Sequence, residues 1–575
     1  MMNKINPDTA KLLVLLAALI AAAVTFGVYI PSLGNGFVNW DDDTYVLNNI
    51  YIQGFSAENL GVIFFKVFFS NYAPLHLLSY SLDFAIWGLD PFGFHLTNSI
   101  LHAANTFLVA LLAARLADTR GCFETKGLFV MALASGLLFG LHPLHVESVA
   151  WVTERKDVLN ALFFLFGLHA YLSYLKGPSR RAYYILTLFF FTLSLLSKAM
   201  TVTMPLVLLM IDLYPLGRLK TEGLKRLIIE KLPFFGLSLL IALISIWSQS
   251  GALAPIEKLP LDDRLHVAAR GALFYIYKSL VPLGLAPLYP RDFAMGFNLW
   301  FAAYTIVLAS ITALAVLALK RTGAPLSAWG YYLVTLLPVI GIMQAGRQAA
   351  ADRYTYIPSI GLVILVAAGA AYLVQKKKAF VPVLAAITLL SALLSFLTVR
   401  QTGVWKDSAA LWTREIKVFP EYPNGHVGRG LTYVFAGDFN GAVADLDKGI
   451  GLKPGSNLLY EAYFYRGIAL SSLGRIQEGL SDFTAAINLK PDEKIPYRNR
   501  GNAYMRAGEP DLAIRDLKQA ADLPPVDGGA FIDLGLAYMR TGDRENAYES
   551  MERALALGDK GALPYLKELE GARQN

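Results

Sequence analysis

Cysteine is almost absent from this chain: Cys122 is the only one in 575 residues. That excludes an intramolecular disulfide and any thiolate metal site, so each domain must be stable without bridges. Charge is scarce as well, with Asp, Glu, Lys and Arg at 17%, against about 25% in ordinary soluble domains. Together with a 55% hydrophobic content and a mean hydropathy of +0.45, this excludes a wholly water-soluble chain. Long basic tracts are missing too. The formal surplus of +7 is spread through short clusters between apolar runs, which is how membrane orientation is encoded and not how nucleic acid is bound.

What is present divides in two. Residues 1–400 carry the apolar runs, and residues 401–575 read as soluble protein. Ala21-Ala22-Ala23 imitates a signal-peptidase site, yet the apolar run continues to Ile30, so it is expected to be an uncleaved first span. Further spans are expected near 93–116, 127–141, 157–175, 181–197, 199–216, 229–247, 298–319, 327–343, 355–375 and 379–399, about eleven in all. The clusters Lys4/Lys11, Arg115/Arg120/Lys126, Lys176/Arg180/Arg181, Arg218/Lys220/Lys225/Arg226, Lys320/Arg321 and Lys376/Lys377/Lys378 fall on alternate connections. A cytoplasmic N-terminus places them all on one side, and an odd number of spans puts residue 401 onward outside. Segment 264–290 is apolar but carries Arg264, Arg270 and Lys278, and is expected to be a partly inserted outer-face helix.

The C-terminal third is repetitive. Gly467, Gly501 and Gly535 recur every 34 residues, and Gly430 precedes the first by 37. Three residues after each Gly stands Tyr433, Leu470, Tyr504 or Tyr538. Ala442, Gly479, Ala513 or Ala547 follows at twelve, and Leu446, Phe483, Leu517 or Met551 at sixteen. This is the 34-residue helix–turn–helix of tetratricopeptide (TPR) arrays: four repeats over 423–561, after a linker and degenerate half-repeat at 401–422, with a capping helix and tail at 562–575. The fold class expected is therefore all-α, a polytopic membrane domain over 1–400 followed by an α-solenoid. Such arrays present a concave groove for a peptide or protein; a mere brace for the membrane domain is the alternative.

Unusual residues gather in the outer-face loops. Trp40-Asp41-Asp42-Asp43-Thr44-Tyr45 offers adjacent carboxylates, the groups needed to deprotonate a hydroxyl or to hold a divalent metal such as Mg or Mn; a solvated acidic turn is the alternative. A second loop holds His142, His145 and Glu147, then Trp151, Glu154, Arg155, Lys156 and Asp157. The histidines, three apart, share one helical face; a hydrogen-bonded structural role competes with metal ligation, in which His145 could join Asp41 and Asp42. A third cluster is Arg347, Asp352, Arg353 and Tyr354. Arg155, Lys156, Lys198 and Arg353 face outward against the positive-inside tendency. An anionic lipid phosphate would account for them, as would pairing with Glu147, Glu154, Asp157 and Asp352.

FVNWDDDTYVLNN, the stretch 71–105, FGLHPLHVESVAWVTERKDVL (139–159) and DRYTYIPSIG (352–361) together resemble the transmembrane-and-TPR O-mannosyltransferases of the GT-C superfamily, in the same order of membrane half then TPR half. The resemblance implies an inverting glycosyltransferase that takes sugar from a polyprenyl-phosphate donor. It implies an acid in the first outer loop, Asp41 as base with Asp42 beside it, and support from Trp40, Tyr45, His142, His145 and Glu147. Arg353, Tyr354, Arg155, Lys156 and Lys198 would receive the lipid phosphate. It further implies a Ser, Thr or Tyr hydroxyl of an acceptor protein held by the TPR groove; the short loops and short array depart from the family and point to a bacterial member, acting outside its inner membrane. Two other classes are weighed: a lipid-linked-sugar transporter, for which inverted repeats and mid-span charges are missing, and a non-enzymatic envelope scaffold, which leaves the acidic loop unexplained.

Overall fold

A computed structural model describes residues 7–119, 121, 123–176, 178–250, 260–291, 296–342 and 348–574; Lys4, Arg120, Cys122 and Arg347 lie outside the described residues. The chain divides into two compact units, 1–411 and 412–575, and the regular elements among the described residues are helices apart from the short pair β1 (Tyr289–Pro290) and β2 (Gln348–Ala350).

In the first unit, α1 (Pro7–Tyr29), α4 (Pro91–Asp118), α5 (Thr125–Gly140), α7 (Arg155–Lys176), α8 (Arg180–Ser197), α9 (Met204–Leu213), α11 (Leu224–Ser248), α13 (Leu299–Leu317), α14 (Ala324–Leu336), α15 (Ser359–Lys377) and α16 (Phe380–Thr402) run back and forth between two ends of a bundle. Shorter helices α2 (Ala57–Phe65), α3 (Pro74–Trp87), α6 (Val146–Ala150) and α10 (Arg218–Glu222) lie between them. Hydrogen bonds mark the ends. Asn35, after α1, reaches Thr402 at the close of α16; Asn160, early in α7, reaches the carbonyls of Ser194 and Lys198 late in α8 and just beyond it; Gln249, after α11, reaches Asn71. These contacts define one end. At the other, Arg115 binds the carbonyl of His169, Glu124 N–H meets Gln375, Tyr171 meets Asp212, and Tyr214 meets Thr322. The described basic clusters all belong to this second end.

Seven of these helices are long and apolar enough to cross a membrane alone, and an eighth span forms if α5 and the helical pieces Pro143–Ala150, bent by 51°, count as one. The three other expected spans are present but fall short of that standard. α8 begins on Arg180 and Arg181, while α9 and α14 have 10 and 13 residues. Short 3-10 turns continue the last two, at Ala199–Thr203 and Leu337–Val339. Irregular backbone at such depth is tolerated where protein, not lipid, surrounds it, and Met204, Val207 and Leu208 of α9 are buried. The segment expected to be partly inserted forms α12 (Leu261–Leu280). Arg264 near its start binds the Ile342 carbonyl, while the Ser279 carbonyl at its close meets His142. Both termini thus lie at the first end, and α12 runs along that end without crossing.

The second unit opens within α17 (Ser408–Val418) and pairs helices as α18 (Pro423–Ala436) with α19 (Phe439–Gly451), α20 (Ser456–Ser472) with α21 (Ile476–Leu489), α22 (Lys494–Ala507) with α23 (Pro510–Asp522) and α24 (Gly528–Thr541) with α25 (Arg544–Ala556); α26 (Leu563–Gln574) follows. The repeat glycines mark where paired helices touch. A Cβ on Gly430, Gly501 or Gly535 would fall 2.6–2.8 Å from Leu446, Leu517 or Met551, closer than carbon atoms approach. Leu566 and Leu569 of α26 complete the last core cluster, as a terminal cap must. A feature the sequence reading passed over is a ladder of guanidinium–carboxylate forks. Arg429, Arg466 and Arg500 each grip Asp445, Asp482 or Asp516, sixteen residues on, through Nε and Nη2 at 2.6–2.9 Å. The fourth repeat has Leu534 and Ser550 at these places.

Candidate active site

The loop after α1 is tied down along its length before the acidic residues are reached. Gly36 N–H donates to the Lys406 carbonyl and Asn39 N–H to Ser408 Oγ, each at 2.8 Å. The Trp40 carbonyl accepts from Trp151 Nε1 at 3.1 Å, and Trp151 is sandwiched between Trp40 and Trp405, with ring centroids 5.4 and 5.2 Å away. Asp41 then turns the chain through a left-handed conformation, φ 69°. An L-residue rarely adopts this, though Asp does so more readily than most.

That turn gives the two neighbouring carboxylates opposite environments. Asp42 is buried, accepting from Val38 N–H and Thr153 N–H, both at 3.0 Å, and from the Thr153 hydroxyl. Burial pushes its carboxyl up to about 7, with those bonds to Thr153 and Val38 opposing the rise. Asp41 is half-buried, and no hydrogen bond to its carboxylate is found among the described residues. Burial holds it above the usual carboxylate range; Lys156 and Arg353 pull it down, while Glu154 and Asp43 add to the rise. Asp43 is exposed and accepts from Thr44 N–H. One carboxylate is therefore committed to structure, one faces solvent, and Asp41 remains available to a proton.

Beside Asp41 lies a network of alternating charge. Glu154 Oε1 is 3.1 Å from Lys156 Nζ and 3.3 Å from Arg353 Nε; its Oε2 is 3.2 Å from Lys198 Nζ. Lys198 also meets Asp157 at 2.6 Å, and Asp157 accepts from Ser148. Arg353 pairs with Glu147 through Nη1, donates its backbone N–H to the same carboxylate at 2.8 Å, and lies over the rings of Trp151 and Tyr354 at 5.5 and 5.1 Å. Lys156 lies 5.5 Å over Tyr45, whose hydroxyl accepts from Asn71. Three cations face three paired carboxylates, so the network is formally neutral, and Asp41 adds one negative charge.

Of the residues expected at the site, Trp40, Asp41, Asp42, Tyr45, Glu147, Lys156, Lys198, Arg353 and Tyr354 are brought together. Arg155 is not. Its side chain is fully buried, paired with Asp83 and donating to Asn98, Ser79 and the Phe94 carbonyl. It starts α7 on the face away from Lys156, and corrects the expectation that it binds phosphate: it pins α3 to α4. Nor is Arg353 the partner of Asp352, which accepts from the Tyr289 hydroxyl. His142 and His145 support the site from below. His142 contacts the Ser279 carbonyl and accepts from Leu144 N–H; His145 meets the Phe139 carbonyl and Ser359. With both His145 nitrogens engaged and Asp42 already accepting three hydrogen bonds, the set Asp41, Asp42 and His145 does not fit a metal, and no other cluster of three or more ligands does among the described residues. Sequence reading missed Thr153 and Trp405. Neither is chemically unusual, and only the fold brings them to Asp42 and Trp151.

Comparison with known proteins finds similarity in both halves of the chain. The tetratricopeptide repeat family matches residues 498–562. Protein O-mannosyl-transferase tmtc2 of Xenopus laevis is 32% identical over 248 residues, 40% of this chain and 28% of its own length. Protein O-mannosyl-transferase TMTC1 of Homo sapiens is 25% identical over 477 residues, 71% of this chain and 52% of its own. For TMTC4 of Mus musculus the figures are 24% over 493 residues, 74% and 65%. The chain thus spans less than two thirds of the length of these relatives. The resemblance to the transmembrane-and-TPR O-mannosyltransferases is shown, in a multi-pass, all-α chain with a TPR array.

Proposed function

We propose that this protein is a membrane glycosyltransferase of the inverting GT-C type, moving a sugar from a polyprenyl-phosphate donor to a hydroxyl of an acceptor protein. The observation that carries the reading is Asp41: a carboxylate with no hydrogen bond among the described residues, held in a left-handed turn beside Lys156 and Arg353. In one displacement the acceptor oxygen forms its bond to the sugar C1 as the C1–O bond to phosphate breaks. The electron pair leaves with the phosphate, and the acceptor proton passes to Asp41. A carboxylate raised above its usual range is a stronger base for that step. Lys156, Lys198 and Arg353 expose 14%, 18% and 11% of their side chains, edges that could meet phosphate oxygens as charge develops on them. Arg353 and Lys156 also lie against aromatic faces, which fixes where their charge sits.

The basic clusters gather at the end opposite this site, which supports a site on the extracytoplasmic face, with the C-terminal array on the same side of the inner membrane. The array's groove is the proposed seat of the acceptor polypeptide.

The test is reconstitution. In liposomes, with a polyprenyl-phosphate sugar and a Ser/Thr-containing peptide, mass spectrometry should find the glycosylated peptide. Transfer supported only by a nucleotide sugar would overturn the donor class. Protease added to intact spheroplasts should trim the TPR array, and protection until lysis would reverse the sidedness.

A further inference from the structure

We propose that Glu154 is a positioning residue that keeps the leaving-group site near neutral, so that a phosphate can be received there and also released. The inference rests on the lipid-phosphate donor proposed above. Its basis is one carboxylate in contact with three cations, Lys156, Lys198 and Arg353. Glu154 is the inner member, 2% exposed, and the three cations are the outer ones. A ligand entering from solvent therefore meets the ammonium and guanidinium edges and never the Glu154 carboxylate. The flanking pairs do not replace it. Glu147 serves Arg353, Asp157 serves Lys198, and Lys156 has Glu154 as its one ion-pair partner among the described residues.

Without the Glu154 charge, three cations would face two paired carboxylates, with Asp41 neutral once it has taken the acceptor proton, and repel one another at close range. The consequence differs for donor and product. A phosphodiester donor carries one negative charge; the monophosphate that departs carries nearly two at neutral pH. A positive surplus thus favours product over donor and slows its escape. Glu154 limits that preference while fixing where the three cations stand.

The experiment uses the full chain in nanodiscs and polyprenyl monophosphate as the probe. Glu154→Gln should bind it on the order of tenfold tighter than the parent protein, the effect of one charge removed at short range. Steady-state turnover should fall more than single-turnover transfer, because release becomes limiting. Glu154→Gln combined with Lys198→Gln restores the balance and should return product affinity towards the parent value. Unchanged or weaker binding by folded Glu154→Gln, with losses that simply add in the double variant, would overturn the inference and make Glu154 a brace. Should the single variant not accumulate, Lys198→Gln alone decides: it should weaken product binding about tenfold, and no change overturns the charge-balance role. If the parent protein itself does not bind polyprenyl monophosphate, the donor reading falls first, which is a different result from binding that ignores Glu154.

Discussion

Replacing Asp41 with Asn should remove turnover and leave the fold intact or firmer, an unusual pairing of signs. The amide keeps the size and the tolerance for a left-handed backbone at φ 69°. No hydrogen bond to the carboxylate is lost among the described residues. Folding also works against the charge: burial raises the Asp41 carboxyl above its ordinary range. A group raised in this way lowers stability once the pH has passed its folded value, so a neutral side chain relieves that cost at pH 7. Activity should move the other way. Loss of a positioned general base costs about 10²–10⁴ in rate, equivalent to about 3–5 kcal/mol of barrier. The assay is peptide glycosylation per folded molecule, with melting temperature measured on the same detergent-solubilised preparation. The reasoning is refuted if Asp41→Asn melts well below the parent, or if it turns over within a few-fold of the parent while Asp43→Asn does not.

Asp42→Asn should behave differently, because an amide nitrogen would face Val38 N–H, donor against donor, at a cost of about 1–3 kcal/mol. The Asp42 carboxyl is pushed up to about 7, so between about pH 4 and 7 the folded protein holds a proton that the unfolded chain has released, and stability falls as pH rises through that window. Melting curves should show this slope in the parent and a shallower one in the variant; equal slopes would refute it. Arg353→Lys keeps the charge but cannot hold Glu147 and Glu154 together. Turnover per folded molecule should drop markedly, alongside some loss of melting temperature, and unchanged turnover would return Arg353 to a purely structural role.

Much of this architecture is legible in the amino-acid sequence because it rests on periodicity. The TPR helices follow from a 34-residue spacing, and their glycines are explained by contacts with Leu446, Leu517 and Met551. Each membrane passage leaves an apolar run, although α9 and α14 prove shorter than their runs because backbone shielded by protein need not be one continuous helix. The site is legible as a set of loops but not in the assignment of its members. Arg155 and Lys156 are adjacent, yet at the head of α7 adjacent residues point about 100° apart, sending one to Asp83 and the other to Glu154. Asp41 and Asp42 look equivalent until a single backbone angle separates them. Nothing in residue order reports that angle, or that Thr153 stands ready to donate twice to Asp42.

The fastening of the acidic loop has a consequence for change over time. Asp41 is held through Gly36, Asn39, Trp40 and Asp42, whose partners are Lys406, Ser408, Trp151 and Thr153. All but one of these tethers precede the base, and the four partners named all lie outside α2 and the segment 47–70, which instead packs on Tyr45 through Phe68 and Phe69. Insertions or exchanges in that segment should leave the reacting carboxylate in register with its cations. The outer surface can then be refashioned for new acceptors piece by piece, like a tool whose grip is altered while its cutting edge stays clamped.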